Sequence, residues 1–287
     1  MTPLRPDNWE EALLNDGASP RAKRSGVSYG GSATAGAGSA PGDAREAIDL
    51  TAGLPDPVAI PHEQLRVAAM RVFEHDNADT WRYGGTQGSG ALRAWLGEHW
   101  SPIDGMELTA RNFCLTNGSA GAIANVCEAF CGEGDTVLVE SPSFPGTFRT
   151  LRGLGCIVET VAVDDDGLNP DALEEKLRDL ERQGRRAKML YTIANYQNPT
   201  GTSMDVSRRR RVVDLCKRYD VLILEDDAYG EIGFEAEPPR SLFSIAGGRG
   251  VIKAGSFSKT VGTGIRVGWC LATPTVVDAL TLSLIHI

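Results

Sequence analysis

The sequence predicts an α/β fold in which a mostly parallel β-sheet is covered by helices on both faces. Short apolar segments rich in β-branched residues alternate along the chain with longer helical patterns. Such an alternation is typical of strand–helix–strand units, whose strands are buried on both sides. The composition agrees, because 41% of the 287 residues are hydrophobic and 23% are charged, as in ordinary globular domains.

The elements follow one another from residue 63 onward. Helices are predicted at 63–75, 90–100, 119–131, 144–153, 170–183 and 207–219, and strands at 112–116, 136–140, 157–163, 189–193, 221–224, 251–254 and 267–271. Pro170 supports the start of the fifth helix, because a first-turn residue has no helical partner for an N–H. Ligands of parallel sheets bind beyond the carboxyl ends of the strands. We therefore expect the functional residues in the segments that follow the strands.

The two ends of the chain differ from the region between them. Residues 1–47 contain the low-complexity run Gly30–Gly42, which predicts a flexible linker. The pair Gly36 and Gly38 does not predict a dinucleotide loop, because no strand precedes it and no helix pattern follows. Residues 282–287 match the translated end of a common transposon-based sequencing adapter, so we predict that they are not native. The folded domain is then expected at 48–281.

Charge and cysteine content exclude several classes of partner. The net charge of −9 implies no basic surface for nucleic acid. The run Arg208–Arg211 predicts a solvated helix face. The sequence contains neither an apolar leader nor a run long enough to span a membrane, so a cytoplasmic location is expected. The six cysteines form no C-x-x-C pair, which favours buried free thiols over zinc or disulfides.

Lys259 lies in the segment Gly255–Trp269, among small residues and hydroxyls, with Arg266 on its carboxyl side. A lysine amine can form an imine with an aldehyde, whereas hydroxyls and an arginine can hold a phosphate. Both groups occur on the ring of pyridoxal phosphate. A lysine in a Gly/Ser loop is usually only a solvated residue, so the interpretation depends on four motifs upstream.

The first two motifs suit a phosphate and an aromatic ring. Thr116–Ala122 joins a strand to a helix, and N–H groups at a helix start can bind a phosphate with the help of the dipole. Phe144 follows the strand 136–140, where its ring could stack on a planar cofactor. Taken singly, the first is more often a plain turn and the second a core residue.

The other two motifs suit a pyridine ring. Asn198, in Ala194–Gly201, can donate to a phenolate oxygen such as the cofactor's O3′. Val221–Tyr229 places carboxylates at a strand end, and an aspartate facing a pyridine nitrogen keeps it protonated, which makes the ring an electron sink. Tyr229 can reach the same oxygen as Asn198. An acidic cluster also suits a metal, but no histidine and no second acidic group follow at ligand spacing, so no metal site is predicted.

The motifs Asn198–Gly201, Asp226-x-Ala-Tyr229 and Ser256-x-Ser-Lys259 with Arg266 occur together and in this order. In this respect the chain resembles the fold-type I pyridoxal phosphate enzymes, and among them the class I/II aminotransferases of the aminoadipate, kynurenine and broad-range branch. The resemblance covers 48–281 and implies the three-layer large domain of that fold. It implies ping-pong transfer of an amino group between an amino acid and a 2-oxo acid through pyridoxamine phosphate. A β- or γ-eliminating lyase remains the alternative, and a cofactor-sensing regulatory domain is less favoured.

The resemblance also implies a role for individual residues. Lys259 would be the Schiff-base lysine, with a pKa lowered by burial and by neighbouring positive charge. Asp226 would face the pyridine nitrogen in preference to Asp227, because the family places this residue three positions before the tyrosine. The remaining cofactor contacts would be Asn198 and Tyr229 on O3′, Phe144 on the ring, and Ser119, Ala120, Gly121, Ser256, Ser258 and Arg266 around the phosphate.

Two upstream residues would complete the site. Gly53 matches the glycine whose backbone approaches the substrate carboxylate, and Asn198 would lie near the same substrate. Tyr83 matches the tyrosine that reaches the partner subunit's phosphate, which implies a homodimer. Members of the family are longer, and their final third carries a small domain and the arginine that binds the substrate's α-carboxylate. We therefore expect the chain to lack that small domain and to be unstable or inactive by itself.

Overall fold

The structure is a computed structural model that describes Gly53 and residues 55–74, 85–234 and 238–286, with the side chains of 284–286 excepted. One eight-stranded sheet lies at the centre of this part of the chain. Its strands are β1 (Phe113–Thr116), β2 (Thr136–Ser141), β3 (Ile157–Asp164), β4 (Gly167–Leu168), β5 (Ala187–Thr192), β6 (Leu222–Asp226), β7 (Val251–Ser256) and β8 (Gly268–Leu271).

Helices cover both faces of the sheet, as the sequence predicts. They are α1 (His62–Glu74), α2 (Gly90–Asp104), α3 (Gly118–Phe130), α4 (Pro145–Gly153), α5 (Pro170–Arg182), α6 (Val206–Arg218), α7 (Leu242–Ile245) and α8 (Pro274–His286). One apolar core takes side chains from α2, α5, α6 and α7, and the other takes them from α3, α4 and α8. Burial of the two sheet faces in separate cores explains why the strands are nearly continuous apolar runs.

The strand directions bring several loops to one edge of the sheet. The spatial order is β1-β8-β7-β6-β5-β2-β3-β4. Strands β3, β2, β5, β6 and β7 are parallel, and β8 is antiparallel to both β7 and β1. The carboxyl ends of β1, β2, β5, β6 and β7 therefore meet the amino end of β8. The segments that carry Ser119, Phe144, Asn198, Asp226 and Lys259 leave the sheet at this edge, and the segment that carries Arg266 enters it there.

Strand β6 is longer than predicted and includes two carboxylates. The prediction stopped at Leu224 because the next residues are charged, but the register pairs Glu225 with Lys253 and Asp226 with Ala254. Lys253 is 1% exposed, and its ammonium lies 3.0 Å from a carboxylate oxygen of Asp227. A buried partner of opposite charge offsets part of the cost of placing carboxylates inside a sheet.

Other elements also differ from the prediction. Helix α2 continues past Pro102 to Asp104 and ends at Gly105, which has a left-handed φ of 60°. Strand β4 and helices α7 and α8 were not predicted from the sequence. Helix α8 packs against the α3 side through Val277 and Leu280. It includes residues 282–286 of the segment predicted to be non-native. None of the described helices combines the length and apolarity needed to cross a membrane.

The arginine run at the start of α6 is not a uniformly solvated face. Arg208 is paired with Asp164 at 2.7 Å, but Arg209 is fully buried. Its guanidinium donates to the carbonyl oxygens of Met204 and Ala194 at 2.9 and 3.0 Å. The prediction was wrong for Arg209 because carbonyls beyond β5 need donors in the interior.

The prediction for the cysteines is confirmed. All six are free and buried. Residues 1–47 and Tyr83 lie outside the described residues.

Candidate active site

A cavity of about 230 Å³ opens at the edge where the loops meet. It is lined by Ser119, Ala120, Phe144, Ile193, Asn198, Asp226, Ala228, Tyr229, Ser256, Ser258, Lys259, Thr263 and Arg266. Most of these are residues predicted from the motifs, although Gly121 is not among them. Ile193 and Ala228 were not predicted, because their side chains carry no chemical signal. Thr263 was not predicted either, although it has a hydroxyl and lies in the lysine segment.

Asp226 is a buried carboxylate with one oxygen left open. Its Oδ2 accepts a hydrogen bond from the Tyr191 hydroxyl at 2.6 Å, and its Oδ1 has no hydrogen-bond partner among the described residues. Burial raises the pKa of Asp226 to about 6, and the hydrogen bond from Tyr191 acts in the opposite direction. Buried polar atoms in proteins normally have partners, so the open oxygen suits a ligand that donates an N–H.

Asp227 has a different environment although it is the next residue. Its carboxylate accepts from Asn195 Nδ2 at 2.8 Å and pairs with Lys253. Burial opposes its ionisation, but Lys253 and the other donors outweigh burial and hold the pKa of Asp227 below its usual value. Asp227 lines a second cavity of about 200 Å³. Of the two neighbours, only Asp226 can face a ligand in the first cavity.

The carboxylates of this region do not form a metal site. In the part of the chain that the structure describes, no group of three or more His, Cys, Asp or Glu side chains is arranged to hold a metal ion.

Lys259 lies just beyond β7, and its amine points to the loop that contains Gly53. Its Nζ donates to the Gly53 carbonyl oxygen at 2.7 Å and lies 5.6 Å from the centre of the Tyr229 ring. Burial lowers the pKa of Lys259. The second cause expected from the sequence, a neighbouring positive charge, stays a prediction. A lowered pKa makes the neutral amine more available, which both nucleophilic attack and proton transfer require.

Gly53 approaches the site through its backbone. Its φ is +55°, a conformation that residues with a side chain rarely adopt, and an added Cβ would lie 3.6 Å from Lys259 Nζ. Glycine therefore lets the chain present a carbonyl oxygen next to the lysine. In the structure the Gly53 carbonyl contacts the Lys259 amine. The approach of Gly53 to a substrate carboxylate stays a prediction.

A cradle of donors surrounds the opposite end of the cavity. Helix α3 has 13 residues, and its N-cap Asn117 makes no side-chain capping bond. Arg266 donates to the Asn117 carbonyl oxygen at 3.1 Å and reaches Ser258 Oγ at 3.4 Å. Ser256 Oγ accepts from Ser258 N at 3.1 Å. A helix start together with a guanidinium and two hydroxyls is suited to bind a phosphate.

Gly118 gives the guanidinium room at this helix start. A Cβ on Gly118 would lie 2.5 Å from Arg266 Nη2, and the φ of Gly118 is +70°. A larger residue would displace the arginine from the cradle. The sequence motif contained this glycine, but only the contact with Arg266 shows why the position must be small.

Tyr229 and Asn198 lie together in the remaining wall of the cavity. Burial raises the pKa of the Tyr229 phenol, the charge of Asp226 raises it further, and the side chain of Asn198 acts in the opposite direction. The phenol therefore stays protonated at neutral pH and can donate a hydrogen bond.

An amine, an open carboxylate and an anion cradle in one cavity at the strand ends define an enzyme site for a phosphorylated, nitrogen-containing ring. The chain belongs to the family "Aminotransferase class I and II", whose model matches residues 45–283. It is 33% identical over 238 residues to aromatic-amino-acid aminotransferase 1 of Thermococcus litoralis. The matched region covers 83% of this chain and 57% of the relative. It is 35% identical over 237 residues to the 2-aminoadipate transaminase of Thermus thermophilus, covering 81% and 57%.

Solved structures agree with the family assignment. The kynurenine aminotransferase of Pyrococcus horikoshii, crystallised with PMP, kynurenine and its product, has a TM-score of 0.77 at 29% identity, covering 82% of this chain and 58% of that one. The α-aminoadipate aminotransferase of Thermus thermophilus, in complex with N-(5′-phosphopyridoxyl)-L-leucine, has a TM-score of 0.73 at 34% identity. These similarities confirm the resemblance to class I/II aminotransferases that the sequence motifs indicated. The chain spans 57% of the first curated relative and 58% of the first structure.

Proposed function

We propose that the chain contains the cofactor site of a pyridoxal phosphate-dependent aminotransferase, which transfers an amino group between an amino acid and a 2-oxo acid. The observation that carries the proposal is the cavity that holds Lys259, the open oxygen of Asp226 and the Arg266 cradle together. The relatives named above are aminotransferases, which favours transfer over elimination.

The residues present fit this cofactor at each of its polar groups. Asp226 Oδ1 would accept the ring N–H, and Asn198 and Tyr229 would donate to O3′. Phe144 would pack on the ring, and the α3 start with Ser256, Ser258 and Arg266 would hold the phosphate. When bound, pyridoxal phosphate supplies an electron sink for the charge that develops at the substrate's Cα.

The chain's own residues then carry the proton transfers. Lys259 Nζ would take a proton from the substrate's Cα and deliver it to C4′ of the cofactor, because burial lowers the pKa of this amine. The Gly53 carbonyl, 2.7 Å from Nζ, would orient the amine between transfers. Asp226 would keep a proton on the ring nitrogen, with Tyr191 fixing its other oxygen at 2.6 Å.

The assembly and location are further parts of the proposal. The resemblance at Tyr83 supports a homodimer that shares its sites, and the cysteine usage supports a reducing, cytoplasmic compartment. Residues 48–281 would form the cofactor-binding large domain, with 1–47 as a linker segment and 282–287 as a non-native addition. Amino and 2-oxo acids would be the only partners that the site requires.

Trapping the cofactor on the protein tests the proposal. The chain, and in parallel the longest reading frame that contains it, is mixed with pyridoxal phosphate, reduced with borohydride, digested and analysed by mass spectrometry. We expect a pyridoxyl adduct on the peptide that contains Lys259 and none there in Lys259→Ala. The longer protein should also convert 2-oxoglutarate to glutamate with an amino donor. An adduct confined to other lysines would contradict the cofactor assignment, and deamination without glutamate formation would favour the lyase.

A further inference from the structure

Glu140 is a fully buried carboxylate at the end of β2 that the proposed chemistry does not use. Its Oε1 accepts from the Thr192 hydroxyl at 2.5 Å, and both its oxygens lie 3.2 Å from the N–H of Ile193. Its Oε2 accepts from Gln197 Nε2 at 3.1 Å. Each of these partners is a neutral donor at or just beyond the end of β5. The carboxylate therefore ties β2 to the start of the loop that carries Asn198.

Gln197 extends this tie to a second loop. Its Nε2 also donates to the Pro142 carbonyl oxygen at 2.8 Å, and its Oε1 accepts from the N–H and the hydroxyl of Thr200 at 3.0 and 2.9 Å. The side chain thus bonds at the same time to β2, to residues 142–144 and to its own loop. We call 142–144 the Phe144 loop and 193–201 the Asn198 loop, since each contributes that residue to the cavity.

We propose that Glu140 and Gln197 are positioning residues that hold the Phe144 loop and the Asn198 loop at a fixed separation. The inference rests on the proposed function in so far as these loops are the walls that receive pyridoxal phosphate. Phe144 would pack on the ring and Asn198 would donate to it, so their separation fixes the width of the site. Small displacements of positioning groups have large effects on binding and rate.

The chemistry of the pair explains why one partner is an acid and the other an amide. Glu140 accepts hydrogen bonds only, and the amide of Gln197 supplies two donors and one acceptor. Burial raises the pKa of Glu140 to about 7, and its hydrogen-bond donors act in the opposite direction. The titratable groups that face it are Asp226 on β6 and Tyr191 on β5. The amide of Gln197 does not titrate, so in the wild type only Glu140 can change its charge within this contact.

Replacing the amide with an acid converts the tie into a pH-dependent contact. In Gln197→Glu two carboxyl groups would face each other where the wild type has a 3.1 Å hydrogen bond. Carboxyls at such distances share one proton and cannot both ionise without strong repulsion. A shared proton restores the bond to Glu140, although not the second bond to Pro142, so the contact between the two carboxyls should form in acid and break in base.

The test measures loop opening without cofactor, and then cofactor affinity. Amide hydrogen exchange is followed by mass spectrometry in the cofactor-free chain for wild type, Gln197→Leu and Thr200→Val. Thr200→Val is the matched control, because it removes a bond to Gln197 inside the Asn198 loop and leaves the link to Pro142. We expect Gln197→Leu to speed exchange in both loops and Thr200→Val only in the Asn198 loop. The dissociation constant for pyridoxal phosphate should rise about tenfold in Gln197→Leu, because displacement of the two loops weakens the contacts of Phe144 and Asn198 with the ring.

The pH profile separates positioning from a general loss of structure. Compared with wild type at the same pH, Gln197→Glu should bind pyridoxal phosphate progressively more weakly as the pH rises, because the carboxyl pair loses its shared proton. This comparison also applies if Gln197→Leu does not fold. Unchanged exchange in the Phe144 loop of Gln197→Leu, or a wild-type profile for Gln197→Glu, would overturn the inference. If Gln197→Leu speeds exchange in both loops but the wild-type protein binds no pyridoxal phosphate, the proposed function is refuted and the tie between the loops is still supported.

Discussion

Asp226 and Asp227 are adjacent carboxylates at the end of β6, and they have different surroundings on the two faces of the sheet. On one face Asp227 is paired with Lys253 at 3.0 Å, and Asp104 lies 3.7 Å from the same ammonium. On the other face Asp226 keeps an oxygen without a partner in the described chain. The first arrangement keeps its carboxylate ionised for structural reasons, whereas the second leaves an acceptor open to a ligand. The same residue type thus serves stability on one face and binding on the other.

The largest effect should come from removing the cation of the structural face. Lys253→Met would leave Asp227 and Asp104 buried without their positive partner, and breaking a buried ion pair costs about 3–5 kcal/mol. Urea unfolding of the cofactor-free chain measures this loss. Lys253→Met combined with Asp227→Asn should recover part of it, since one uncompensated charge is removed. A single variant as stable as wild type would show that Lys253 does not balance these carboxylates.

On the binding face the corresponding change should separate stability from function. Asp226→Asn removes a buried carboxylate whose pKa is raised to about 6, and its ionisation opposes folding at neutral pH. We expect the cofactor-free variant to gain about 1–2 kcal/mol near pH 8, after the weaker bond to Tyr191 is allowed for. Its affinity for pyridoxal phosphate should fall at least about tenfold, because the ring N–H loses a charged acceptor.

The pH dependence of this difference gives its own check. An acid with a raised folded-state pKa is neutral in both states in strong acid, and it costs stability once the pH passes its unfolded value. The stability gain of Asp226→Asn should therefore be near zero at about pH 4 and reach a plateau above about pH 7. A gain that is constant with pH would mean that packing, and not the charge of Asp226, causes it.

The smallest effect should come from an ion pair that neither face uses. Arg66 and Glu63 on α1 lie 2.6 Å apart, but their side chains are 63% and 69% exposed. Solvent and salt screen such pairs almost completely. Arg66→Ala should leave the urea midpoint of the chain unchanged within error. A clear shift would show that surface charge contributes to stability on the scale of the buried pairs. It would weaken the contrast between buried and exposed charges.

The motifs predicted most of the cavity because strand order and parallel direction place successive loops at one edge. Lys259, Asn198 and Tyr229 each follow a strand in the sequence, and all of them line the same cavity. Arg209 was assigned to a solvated face and is instead buried. Its donors bind carbonyls of the segment that joins β5 to α6, and helical periodicity carries no record of which carbonyls lack partners. Gln197 lies in the motif Ala194–Gly201 but was given no role, because local patterning does not show which groups its amide contacts.

By itself the sequence determined the α/β class, the family and the set of chemical groups available to the site. These follow from periodicity and from the order of short motifs, which are local properties of the chain. The family resemblance favoured Asp226 over Asp227, but only the tertiary structure gives the physical reason, because Lys253 from one neighbouring strand pairs with Asp227 and Tyr191 from another leaves an oxygen of Asp226 open. It also shows that burial lowers the pKa of Lys259. Burial and pairing arise between segments far apart in the chain, so they appear only when the sheet has formed.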